Sequence, residues 1–162
     1  EKLKDIQAKT TYLSLYKFYH FTHTISQTPN TPAVPLFFAL EQALENILQE
    51  GVSNRHRDIL NRANILRLGM KKMGLKFLID GNDMCSVLTT VYTPEYIKVS
   101  VLREKLRDKQ IIIYEGKGEF KDKIFQVGNI GELSLTEIQF FLDTLQKILQ
   151  ESKILYNYPS VM

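Results

Sequence analysis

The sequence predicts an α+β fold: a small antiparallel sheet covered by helices and preceded by two long helices. Three observations carry this. Four segments repeat apolar residues at helical spacing, four short β-branched or aromatic runs lie between them, and the last six elements read β, β, α, β, β, α. A turn at Gly81, Asn82 and Asp83 between the first two strand candidates favours an antiparallel pair.

The first helix follows a proline-bearing approach, places Leu36, Leu40, Ala43, Leu44 and Ile47 on one face, and stops at Gly51. The second runs from about Ser53 to Met73, with Ile59, Ala63, Leu66, Met70 and Met73 inside an arc of roughly 80°. The third follows Pro94 and carries Val99, Leu102 and Leu106. In the fourth, Ser134 and Glu137 make an S-x-x-E capping box ahead of Ile138, Phe141, Leu142, Leu145, Ile148 and Leu149. The strand candidates are Leu75–Ile79, Ser86–Tyr92, Gln110–Tyr114 and Lys123–Val127.

The 162 residues, 44% apolar and 24% charged, are enough for one ordinary core and exclude a disordered or collagen-like chain. A net charge of 21 − 18 = +3 names no partner. Seven Lys or Arg stand between Arg55 and Lys76 against the one acid Asp58, but they scatter around a helix as a solvated face and do not form a nucleic-acid footprint. From Phe18 to Leu40 the chain has no charged residue. Pro29, Pro32, Pro35 and four threonines break that stretch too often for a membrane span. Cys85 is the only cysteine, which points to a reducing cytoplasm. The start at Glu1 points to a piece of something longer.

Chemical motifs are sparse. His20, His23, His56 and Cys85 are the only soft ligands and show no metal-site spacing, so no metal is expected. There is no G-x-S-x-G, and Cys85 precedes a strand without a base beside it. Gly116 and Gly118, and Gly128 and Gly131, lack the spacing of a phosphate loop.

Three segments, taken together, do carry a resemblance. Gln27–Val34 reads Gln-Thr-Pro-Asn-Thr-Pro-Ala-Val and runs into an Ala- and Leu-rich helix. Leu88–Tyr92 reads Leu-Thr-Thr-Val-Tyr. Ile111–Gly118 is followed by Ile-Phe-Gln-Val-Gly-Asn-Ile-Gly-Glu-Leu at Ile124–Leu133. In order and spacing they resemble the C-terminal part of the class V, fold-type I aminotransferases that use pyridoxal 5'-phosphate, and most of all the branch that moves an amino group from 2-aminoethylphosphonate to pyruvate. Alanine–glyoxylate and serine–pyruvate enzymes are the next reading. A non-catalytic α+β module for ligand binding or dimerisation is the third.

The resemblance implies that residues 1–32 are the end of the large domain with its Pro/Thr-rich connector, that 33–162 are the small domain, and that the rest of the large domain lies outside this chain. The lysine that binds the cofactor and the acid that keeps its ring nitrogen protonated lie in that missing part. No catalytic residue is therefore assigned here, and the chain alone is expected to be inactive. The resemblance implies two site positions. Thr28 corresponds to a threonine that reaches the cofactor phosphate of the neighbouring subunit of a homodimer. Gln126 occupies the position of an arginine that clamps the substrate's carboxylate or phosphonate. Glutamine offers hydrogen bonds but no charge. Lys117, Lys121 or Lys123 would then have to supply it, or the substrate differs, or activity has been lost.

Overall fold

A computed structural model of the chain describes residues 12–157. The backbone divides into two compact units, the first ending at Glu50 and the second beginning at Gly51.

The first unit holds helix α1 (Leu15–His20), a single π-helical turn (Phe21–Ile25) and helix α2 (Val34–Glu50). The sequence reading does not foresee α1, yet its start has an ordinary cause: the Ser14 hydroxyl accepts from the Lys17 N–H at 3.2 Å. Ser26, at a φ of 54°, turns the chain out of the helix and into the proline segment. α2 is the helix expected before Gly51, but it buries none of its residues, and Leu36, Phe37, Leu40, Leu44 and Leu48 are all exposed.

The second unit contains the sheet. Its elements are α3 (Val52–Lys72), β1 (Leu88–Tyr92), α4 (Val99–Arg107), β2 (Tyr114–Glu115), β3 (Ile124–Gly128) and α5 (Leu135–Asn157). The strands are antiparallel in the order β1-β3-β2, so the last strand in sequence is central. Alternation along β1 and β3 sends Val91, Phe125 and Val127 to one face, where they join Leu66 and Met70 of α3, Leu102 and Leu106 of α4, and the buried stripe of α5 in one core. α3 and α5 meet at Gly69, where a Cβ would lie 2.5 Å from Leu142 Cδ1.

Two of the expected strands are corrected. Leu75–Ile79 forms only the single bridge Phe77↔Val91, flanked by Leu78 N–H to Thr90 O at 3.0 Å and Tyr92 N–H to Lys76 O at 2.8 Å. The chain leaves β1 after Leu78 to enter the 3₁₀ turn Gly81–Asp83, whose first N–H is capped by Asp80. Gln110–Tyr114 pairs only from Tyr114 onward. Its start is tied to α4 through Ile111 N–H to Leu106 O at 3.0 Å, and Gln110 at a φ of 62° turns it.

Asn129, fully buried just after β3, fastens three pieces together. Its Nδ2 donates to Ile59 O of α3 at 3.1 Å and to Ser86 O at 3.0 Å, and its backbone N–H donates to Val87 O at 3.0 Å. Arg62 and Arg67 help from α3. Arg62 donates to Gly131 O, and Arg67 donates to Cys85 O and, at 3.1 Å, to Thr89 Oγ1. Two of the seven basic residues read as a solvated face are therefore structural, because α3 runs past the loops at that end of the sheet.

The capping box forms as expected. Ser134 N–H donates to Glu137 Oε2 at 2.7 Å, and Glu137 N–H donates to Ser134 Oγ at 3.2 Å. The Ser134 hydroxyl also donates to Glu137 Oε2 at 2.7 Å, and this bond, with the backbone one, holds the Glu137 carboxyl below its ordinary value of 4.5. Ser134→Ala is expected to lower stability by about 1 kcal/mol, read as a shift in denaturation midpoint. Because the folded value is lowered, the carboxylate's share of the box is present above pH 4.5 and fades as the pH falls through the lowered value, while the Ser134 cap on the Glu137 N–H does not titrate. The two proteins should therefore differ most at pH 7 and less, but still measurably, in acid. Equal midpoints at pH 7 would contradict this helix start.

Candidate functional site

The face of the sheet turned away from the core is the candidate site. On β3, Gln126 alternates with the core residues Phe125 and Val127, so it stands on this opposite face. The register sets Thr90 of β1 on one side of it and Tyr114 of β2 on the other. Gln126 Nε2 donates to Thr90 Oγ1 at 3.4 Å, a long bond between half-buried groups. Leu88, Tyr92 and Tyr114 on the same face are exposed.

One end of the face is closed by the 3₁₀ turn Gly118–Phe120. Gly116 N–H donates to Ile124 O at 3.0 Å, and a Cβ at Gly116 would collide with Phe120 O and Ile124 Cγ1. Glycine is needed there because the turn folds directly over the strand. Lys117 and Lys121 bracket this turn and are exposed. Lys123 lies three residues from Gln126, which by strand alternation assigns it the opposite face, and its carbonyl accepts from Thr93 N–H at 2.9 Å.

The bridge between Phe77 and Val91 gives Lys76 and Leu78 the parity of Tyr92 and Thr90. Lys76 therefore belongs to the face of Gln126. No local signal in the sequence singles out Lys76, Thr90 or Tyr114. Alternation within each run is visible in the sequence, but the register that juxtaposes the runs is not.

Thr28 belongs to the first unit. It is exposed, and its Oγ1 donates to Asn30 O at 2.8 Å within the proline turn. A hydroxyl has one proton, so donation to a phosphate requires giving up this bond. In the same unit His20 bonds Thr24 at 3.3 Å and His23 packs on Tyr19 with ring centroids 4.4 Å apart. Among the described residues no three His, Cys, Asp or Glu converge on a point, and no helix is long and apolar enough to cross a membrane.

Thr28 can therefore donate to a cofactor phosphate only by exchanging its bond to Asn30 O. What the second unit offers is different: an amide, a hydroxyl and a phenol on one open face, with a lysine at its edge. Such a set can orient an anion.

No protein-family model matches the chain. It is 30% identical over 141 residues to an uncharacterized aminotransferase of Methanocaldococcus jannaschii, covering 86% of this chain and 37% of that protein. It is 35% identical over 107 residues to the 2-aminoethylphosphonate–pyruvate transaminase of Klebsiella pneumoniae, covering 64% of this chain and 29% of that one. The crystal structure of alanine–glyoxylate aminotransferase from Nostoc superposes with a TM-score of 0.78 at 24% identity, over 91% of this chain and 40% of that chain. The chain thus spans roughly a third of the curated relatives it matches. Over that span it is homologous to a portion of the class V pyridoxal-phosphate aminotransferases and has the α+β fold of that portion.

Proposed function

We propose that this chain is the C-terminal part of an aminotransferase that passes an amino group from 2-aminoethylphosphonate to pyruvate, with 1–32 ending the large domain and 33–162 forming the small one. The observation that supports it most is the likeness to the Klebsiella pneumoniae enzyme, together with Gln126 standing on an open polar face. Pyridoxal phosphate, when bound to the intact homodimer, supplies the carrier for the amino group. The lysine that binds it lies upstream in this reading, so the 162-residue chain does no transamination alone.

The work of this chain is to hold the substrate's acid group. The Gln126 amide donates to an anionic oxygen, and Thr90, already bonded to Gln126, fixes the amide's direction. A neutral amide cannot balance a phosphonate or carboxylate taken out of water, so a cation is required nearby. Lys117, Lys121 and Lys123 at the turn end of the sheet are the sequence-based candidates, of which Lys117 and Lys121 flank the turn and Lys123 has the parity of the opposite face.

A second reading, an alanine–glyoxylate or serine–pyruvate type of transaminase, is favoured by the similarity to the Nostoc structure. It uses the same face but needs room only for carboxylates.

Two outcomes test the assignment in the full-length protein. Where no lysine already supplies the charge, Gln126→Arg is expected to raise kcat/KM for both 2-aminoethylphosphonate and pyruvate by about tenfold, since a charge-assisted pair replaces a neutral donor and one site holds each substrate in turn. An unchanged value would remove Gln126 from the substrate site, and a lower one would mean that a lysine already supplies the charge and repels the new arginine. A gain confined to carboxylate substrates would select the second reading. Thr28→Val keeps the size and removes the hydroxyl, and it is expected to weaken retention of pyridoxal phosphate by the dimer on dialysis. Equal retention would reduce Thr28 to its place in the proline turn.

A further inference from the structure

Resting on that reading, we infer that Lys76 supplies the positive charge that anchors the acid group of the substrate. Of the residues that strand alternation sets on the Gln126 face (Lys76, Leu78, Leu88, Thr90, Tyr92, Tyr114, Ile124 and Gln126), Lys76 is the one cation. Its backbone is held in place: its carbonyl accepts from Tyr92 N–H at 2.8 Å, Leu75 before it is buried in the core, and Phe77 after it bridges Val91. Lys117 and Lys121, by contrast, lie on a turn whose Gly118 takes a φ of 59°.

Spacing also suits a small anion. Lys76 and Gln126 are separated by two strand spacings of about 4.8 Å across the sheet and one two-residue step of about 6.7 Å along it, or about 12 Å between their Cα atoms. The lysine stem and the glutamine side chain close most of that distance from either side. Turned toward each other, the two side chains would leave room between ammonium and amide for a carboxylate or a phosphonate. Tyr92 and Thr90 lie between them on β1, and Lys76 is exposed, so its charge is available to a ligand arriving on the open face.

This division of labour differs from a guanidinium clamp. An arginine brings charge and paired donors in one group. Here the charge comes from Lys76 and the directed donor from Gln126, on either side of β1. An ammonium is a point charge without a fixed plane, so it accepts a tetrahedral phosphonate as readily as a planar carboxylate.

The test uses the full-length protein and phosphonoacetate, a non-reacting probe that carries both acid groups, titrated calorimetrically into wild type, Lys76→Met and Lys76→Arg. The inference expects Lys76→Met to weaken binding about tenfold or more and Lys76→Arg to retain most of it. In turnover, KM for 2-aminoethylphosphonate should rise in Lys76→Met with kcat nearly unchanged. Equal phosphonoacetate affinity in wild type and Lys76→Met, or no binding to wild type, overturns the inference. Lysine-dependent binding without amino transfer in any form would uphold the anion site and overturn the proposed activity instead.

Discussion

The buried amide of Asn129 is the interaction on which the second unit depends. It sits where β3 ends, and it bonds at once to α3, to the residue that opens the path into β1, and through its backbone to Val87. Its partners Ile59 and Ser86 lie 70 and 43 residues away in sequence. Closing loops of that length costs entropy that local contacts cannot offset. A buried side chain with two directed donations fixes the register as well as the association, whereas apolar packing alone tolerates sliding. Once β1 and β3 are pinned at this end, Val91 and Phe125 must face the helices, and Thr90 and Gln126 must stand together on the other side.

This arrangement explains why the sheet has a helical face and an open one. α3, α4 and α5 contribute to a single core on the side of Phe125, with Gly69 admitting Leu142 where α3 meets α5. Among the described residues of the second unit, no comparable layer forms over Thr90 and Gln126. The half-buried amide and hydroxyl there are bonded weakly to each other, and Tyr92 and Tyr114 beside them remain exposed. A core sheet does not need such a surface, and a surface that orients ligands does.

Much of the second unit was legible in the sequence because its signals are local. The capping box at Ser134 and Glu137 and the apolar arc from Ile59 to Met73 depend on residues a few positions apart, and α5 and α3 begin and run close to where those patterns place them. The strands were less legible. Leu75–Ile79 and Gln110–Tyr114 have the composition of strands, but pairing is decided by partners elsewhere: one segment is diverted into the turn at Asp80, the other is held by the end of α4. In the first unit α2 lies where its pattern places it, while the cap at Ser14 was present in the sequence but lay next to residues with no clear period. For the site, alternation alone gives the face of Gln126. Lys76, Thr90 and Tyr114 join it only through register. Asn129 is visible as a letter in Gly-Asn-Ile-Gly, and nothing local reveals its bonds to α3 and Ser86.

The most direct measurement of this account is amide hydrogen exchange in the 162-residue chain and its Asn129→Ala variant, which removes both donors and adds no volume. If the buried amide sets the register, the variant should lose about 2 kcal/mol of stability, and exchange should speed up at Thr89 and Val91 of β1, whose N–H groups face β3, well beyond any change at the α5 amides. Equal protection of β1 in the two proteins would contradict it, and the alignment of Thr90 with Gln126 would then have to come from core packing alone.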